Sequence, residues 1–408
     1  MKAIEYKVSN LRYITMKYLS MVNKKFIYGP LSLAKLVDKP EPKLIGEEWV
    51  KIKVIMSGVC GSDIGALEAR QSFYLEPYMS KNFILGHENV GFVAEKGKKV
   101  KNVKIGDRVV VQPFLACKQR GIKNECHFCK TGNYSLCENV NGGKLSRGIS
   151  IGLNKDTGGG WSEAFLAHYS NVFKLPEEVS NEEAVLIDSF SCALHAVIRN
   201  MPEKNDTAVV YGCGTVGLST IASIRALGLK NRIIALCTRS FQKEMALKLG
   251  ANIVLNPRRD NLFEEMAKIS GAKLYKPTLG RPTLEGGVEI IYDCVADEDT
   301  INNSLRFLKA SGKLVIIATA GVIGKIDMAP VWFRELNITG SCEQDFELYK
   351  KSMKTTYEIA IGLIKDKKVN LKPLVTHKFR LSDFKKAIKT AVDKNKGSIK
   401  VVFYNEKV

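Results

Sequence analysis

The chain has 408 residues, with 62 Lys and Arg against 42 Asp and Glu and a formal charge of +20. That length allows two or three domains, and 45% hydrophobic with 25% charged residues is a globular mixture that excludes a disordered or fibrous chain. No apolar run approaches the ~20 residues that cross a bilayer, and the basic first 25 residues are too broken by polar side chains for a secretion signal, so a reducing cytoplasm is the expected home.

The first stretch, to about residue 175, reads as short β-like segments punctuated by Gly and Pro. Glu48-Trp49-Val50-Lys51-Ile52-Lys53-Val54 alternates polar and apolar residues, and Gly106-Asp107 turns into Arg108-Val109-Val110-Val111. From 181 to 342 the rhythm changes. Strands are expected at Thr207–Tyr211, Arg232–Leu236, Asn252–Leu255, Val288–Tyr292, Lys313–Ala318 and Asn337–Thr339, with helices between most of them. That alternation predicts a doubly wound parallel sheet, and Ala272–Gly287 reads as a long inserted loop. A helix over Thr355–Lys365 and a short strand, Ile399–Phe403, close the chain and return to the first domain.

The lysines are dispersed rather than clustered, as a solvated surface requires, and such a field also draws a phosphorylated small ligand. Ten cysteines without a signal peptide point to metal binding rather than disulfides. Four of them fall in Cys117-x8-Cys126-x2-Cys129-x7-Cys137, which reads as a structural zinc site closed by four thiolates. Cys60-Gly61-Ser62-Asp63 and Gly86-His87-Glu88 offer a thiolate and an imidazole, donors that suit zinc as a pair. Gly212-Cys213-Gly214-Thr215-Val216-Gly217 follows a strand and opens a helix, the setting in which glycines let a backbone and helix N–H groups hold a pyrophosphate. At the end of the next strand the ribose-binding acid is replaced by Thr238-Arg239-Ser240, with Lys243 one turn on. An arginine there suits a 2′-phosphate, which favours NADP over NAD.

Together these residues resemble the zinc-dependent medium-chain alcohol dehydrogenase family, in its polyol and threonine dehydrogenase branches. The likeness runs through Lys104–Val109, Gly159–Glu163, Leu186–Ser191, Asp293–Val295 and Trp332–Leu336. The resemblance implies a GroES-like, β-rich catalytic domain (1–180 and 343–408) around a Rossmann domain (181–342), and two zinc ions per chain. It implies a catalytic zinc on Cys60, His87 and Asp188, with Cys192 the rival third ligand and Glu88 either a ligand or a neighbour. Asp63 would orient the imidazole, and Ser62 would hydrogen-bond the substrate oxygen. Gly65 stands where many relatives carry a relay histidine. The expected reaction is hydride transfer between an alcohol, polyol or amino alcohol and the nicotinamide, in a dimer or tetramer, with no membrane or nucleic acid partner. A zinc-free reductase of the same superfamily and a zinc-lobe nucleic-acid binder are the competing readings; the lobe lacks the basic–aromatic interleaving that the second needs.

Overall fold

A computed structural model describes residues 1–259 and 261–406, so the last two positions of the expected first domain, 407 and 408, lie outside the described residues. The chain forms two units, Met1–Asp188 with Gln344–Val408, and Ser189–Glu343.

In the first unit the alternating segment forms the long strand Trp49–Gly58. It pairs antiparallel with Asn89–Lys96 along one edge and with both Lys400–Tyr404 and Ala164–His168 along the other. Val375–Arg380 extends the sheet beyond Lys400–Tyr404, while Arg108–Val111 and Val172–Lys174 extend it beyond Asn89–Lys96. Val50, Ile52, Val54, Val93, Val109 and Phe165 meet in the core beneath it. A Cβ at Gly91 would sit 2.2 Å from the Lys53 carbonyl oxygen, so this close strand contact requires glycine. A smaller sheet joins Lys2–Lys7 to Ala34–Asp38 and Asn82–Ile84.

The second unit is a six-stranded parallel sheet in the spatial order Ile253–Leu255, Arg232–Leu236, Thr207–Tyr211, Val288–Asp293, Leu308–Ile316, Asn337–Gly340. Val209 lies beside Ile234 and Ile291, all fully buried, as the central strands of a two-faced parallel sheet must be. Chain order reverses at Thr207–Tyr211, the switch point at which such sheets bind ligands.

Two segments differ from the sequence reading. Ala272–Gly287 is not a loop throughout. Lys273–Tyr275 and Thr283–Glu285 pair antiparallel, fastened by fully buried Leu284, while the Pro and Gly residues occupy the tip and ends. The opening stretch also contains a helix, Asn10–Val22, whose N-cap Ser9 accepts a hydrogen bond from the Arg12 N–H.

Candidate active site and metal centres

Cys60 ends the long strand's turn and caps the helix Gly61–Leu67. Asp63, in that helix's first turn, accepts the Cys60 N–H at 2.9 Å and places its other carboxylate oxygen 3.5 Å from His87 Nδ1. One buried acid therefore fixes both the thiol-bearing turn and the imidazole. The donor atoms of Cys60, His87 and Glu88 lie within 4.8 Å of one another. Ser62 is half-buried one position inside the same helix, and a Cβ at Gly65 would meet nothing within 4 Å.

Glu88 is almost completely buried. Both its oxygens accept from the equally buried Lys400 ammonium, at 2.5 and 2.6 Å. Burial pulls the Lys400 ammonium down, but Glu88 and Cys60 more than restore it, so its pKa lies above the ordinary lysine value. Gly58 makes room for this pair, because a Cβ there would fall 1.8 Å from Glu88 Oε2. Asp188 stands outside the group of three. Its Oδ1 accepts from Gln344 Nε2 and the Tyr357 hydroxyl, each at 2.8 Å. Burial raises the Asp188 carboxyl to about 6, with His87 and Tyr357 working the other way.

A soft thiol, an imidazole and carboxylates in one buried cluster are a donor set that fits zinc. The electrostatics agree. Burial pushes the His87 imidazole down, yet Asp63 and Cys60 overcome that and hold its pKa well above the usual value. The imidazole therefore sits where its neighbours favour a positive charge, as a metal ligand's surroundings do.

The second donor set is Cys117, Cys126, Cys129 and Cys137, whose sulfurs also lie within 4.8 Å of one another. The long first interval is taken up by a tight reversal in which Ile122 N–H returns to the Cys117 carbonyl at 3.0 Å. Buried Arg120 then ties the lobe together, donating to the carbonyls of Leu115, Gly142, Leu145, Ser146 and Gly148. Asn139 Nδ2 donates to Cys117 Sγ at 3.2 Å, and the Cys126 N–H at 3.4 Å. Cys129 and the Asn139 N–H bring the Cys137 thiol down to about 5 against the cost of burial. N–H groups aimed at sulfur favour the thiolate, the form that binds metal.

In the second unit Gly212 adopts φ +91°, and a Cβ at Gly217 would lie 1.8 Å from the Gly212 carbonyl oxygen. Gly214 caps the helix Thr215–Ala226, and a Cβ there would meet nothing within 4 Å, so the approach to this helix N-terminus is not blocked at Gly214. Beyond the neighbouring strand lies a pocket lined by Thr238, Arg239, Ser240, Lys243, Asn256 and Arg259, three cations and no carboxylate. Cys192 is half-buried on the helix Ile187–Arg199.

Lys400, Tyr357, Gln344 and Arg259 escaped the sequence reading. Each is an ordinary residue in an ordinary strand, helix or turn, and only Lys400 left a trace, as a lysine opening an otherwise apolar terminal strand.

The chain is similar to known proteins. The alcohol dehydrogenase GroES-like domain matches residues 46–177, and the zinc-binding dehydrogenase family matches 215–358. L-idonate 5-dehydrogenase of Vitis vinifera is 28% identical over 364 residues, covering 88% of each chain. Sorbitol dehydrogenase of Bacillus subtilis is 28% identical over 91% of this chain and 94% of its own. Among solved structures, 2R,3R-butanediol dehydrogenase of Bacillus subtilis superposes with a TM-score of 0.70 at 25% identity, over 91% of this chain and 96% of that one.

Proposed function

The chain belongs to the zinc-binding alcohol dehydrogenase family, oxidoreductases acting on CH–OH groups, and from that premise we propose that it oxidises a secondary alcohol or polyol reversibly with NADP as the preferred acceptor. The observation that carries this reading is the convergence of the Cys60, His87 and Glu88 donor atoms within 4.8 Å.

In this reading Cys60, His87 and Glu88 hold one zinc ion, and the four cysteines of the lobe hold a second. Asp188, the third ligand that the sequence suggested, instead keeps a negative charge close by through Tyr357 and Gln344. When bound, the first ion supplies Lewis acidity toward the substrate oxygen. Asp63 sets the orientation of the His87 ring, and Lys400 holds the Glu88 carboxylate in place. Ser62 Oγ hydrogen-bonds the substrate hydroxyl and receives its proton. With Gly65 in place of a relay histidine, that proton would pass outward to water. A bound nicotinamide would supply the hydride-accepting chemistry that turns the carbinol carbon into a carbonyl. The glycine loop and helix N-terminus at Gly214–Val216 hold the pyrophosphate, and Thr238, Arg239 and Lys243, joined by Arg259, hold the 2′-phosphate.

The test is a panel of alcohols, polyols, amino alcohols and their carbonyls, followed by nicotinamide absorbance with both cofactors, beside metal analysis. About two zinc ions per chain and faster turnover with NADP are expected. A metal-free enzyme that turns over fully would make it a zinc-free reductase. Equal or better rates with NAD would remove the 2′-phosphate assignment.

A further inference from the structure

The helix Asn10–Val22 is amphipathic the wrong way round for a helix that only packs on its own domain. Its core side carries Ser20, whose hydroxyl donates to the Glu68 carbonyl, and Arg12, which donates to the carbonyls of Lys7 and Ser32. Met16 is the one buried large apolar residue in it. Its solvent side carries Leu11, Ile14, Tyr18, Met21 and Val22, with Leu11 76%, Met21 73% and Val22 83% exposed. At 100° per residue these five fall in one stripe about 100° wide. Phe73 and Tyr74, also exposed, extend the stripe sideways: the Phe73 ring touches Tyr13, and Lys17 lies over it. A continuous apolar patch of this kind marks an interaction site.

The charges around it select the occupant. From Tyr6 to Val37 there is no Asp or Glu, while Lys7, Arg12, Lys17, Lys24, Lys25 and Lys35 fall in that span. Lys24 is paired with buried Glu68. Lys17 runs along one edge of the stripe and Lys25 follows its end, while Arg12 turns toward the Lys7 and Ser32 carbonyls. An apolar stripe bordered by cations suits the boundary of an anionic lipid bilayer, where the stripe enters the acyl layer and the cations meet the headgroups. A second copy docking by the same face would bring the cations of this helix against their own copies, with Glu76 the acid nearest the Phe73 and Tyr74 side.

We propose that this face, built by the helix Asn10–Val22 and the adjoining Phe73 and Tyr74, seats the protein on anionic membrane surfaces as a peripheral protein. This revises the expectation of no membrane partner. It concerns a surface rather than a span, for among the described residues no helix is long and apolar enough to cross a membrane. It is independent of the proposed reaction.

The experiment is sedimentation of the full-length protein with sucrose-loaded vesicles of phosphatidylcholine alone, or of phosphatidylcholine mixed with phosphatidylglycerol. Wild type should pellet with the mixed vesicles at low salt, be released by added salt, and stay in solution with the neutral ones. The triple variant Leu11→Ser/Tyr18→Ser/Val22→Ser, which changes only exposed side chains, should lose pelleting by about fivefold or more at unchanged melting temperature. Lys25→Gln, a milder change, should shift release to lower salt. Three results would overturn the proposal. Wild type fails to pellet with the mixed vesicles, or the triple variant pellets as wild type does, which leaves only general attraction of cations to a polyanion. In the third, the triple variant breaks a wild-type oligomer into smaller species in light scattering while vesicles capture neither, making the face a contact between copies.

Discussion

The two candidate metal centres of this chain are built by opposite means. The cysteine lobe takes all four donors from one short stretch, Cys117–Cys137, and is tied together locally by the carbonyl contacts of Arg120. The Cys60–His87–Glu88 site draws on strand ends, a helix cap and the terminal strand, and its charges are balanced by a lysine 312 positions from the glutamate. The lobe is uniform in chemistry and closed by four thiolates, which suits structure. The other site mixes thiol, imidazole and carboxylate beside a buried ammonium, which suits a metal that must keep a place for substrate. The contrast lies in the donor types and in the surrounding charges together, four like sulfurs tied by Arg120 against a mixed set beside Lys400.

Paired serine substitutions break the comparison most sharply. Cys60→Ser should lower turnover by more than about a thousandfold while the melting temperature changes little, and metal analysis should drop by about one zinc per chain. Cys129→Ser should lose the same amount of zinc, but its main effect should be a lower melting temperature and faster proteolysis in the lobe. Full turnover in Cys60→Ser would sink the active-site assignment. The Lys400→Met variant tests the charge balance. In the zinc-depleted protein, leaving Glu88 buried and unpaired should cost about 3–5 kcal/mol in denaturant unfolding, and Lys400→Arg should recover part of it. A loss below about 1 kcal/mol would mean that Glu88 is charge-balanced by other groups.

Arg239→Asp addresses the second unit. Replacing an attraction to the 2′-phosphate with a repulsion should lower kcat/KM for NADPH by about a hundredfold and barely change it for NADH. Equal losses with both cofactors would point to damage of the fold instead. The smallest effect concerns the lobe's anchorage, where Gln119 donates to Ser170 and Asn171, next to His168. Burial pushes the His168 imidazole down to about 4, with Glu48 opposing. A histidine depressed in the folded chain and ordinary (~6.5) in the unfolded one stabilises fully above the unfolded value and loses that contribution as pH falls toward the folded one. Stability should therefore decline between about pH 6.5 and 4 by on the order of 2 kcal/mol, and His168→Gln should flatten that slope. An unchanged slope in the variant would assign the acid sensitivity to other groups.

Much of the fold was legible because its signals are local. The glycine loop, the strand–helix alternation and the CxxC core are spacings within a few residues, and the strands at Thr207–Tyr211 and Arg232–Leu236 lie where the pattern puts them. The helix Asn10–Val22 was missed although Leu11, Ile14, Tyr18 and Met21 keep helical spacing, because the surrounding Gly–Pro punctuation read as β structure. The hairpin within Ala272–Gly287 was hidden because strands of three residues leave almost no period to detect.

By itself, then, the sequence determined which donor types exist, which glycine loop opens a helix and which family of folds is available, since each depends on neighbours along the chain. Tertiary structure alone decided that Glu88 faces Lys400, that Asp188 answers to Tyr357 and Gln344, and that Arg259 joins Arg239 at one pocket. Those partners stand 312, 169, 156 and 20 positions apart, and no local pattern encodes a contact that exists only once separate elements pack and water leaves their charges to each other.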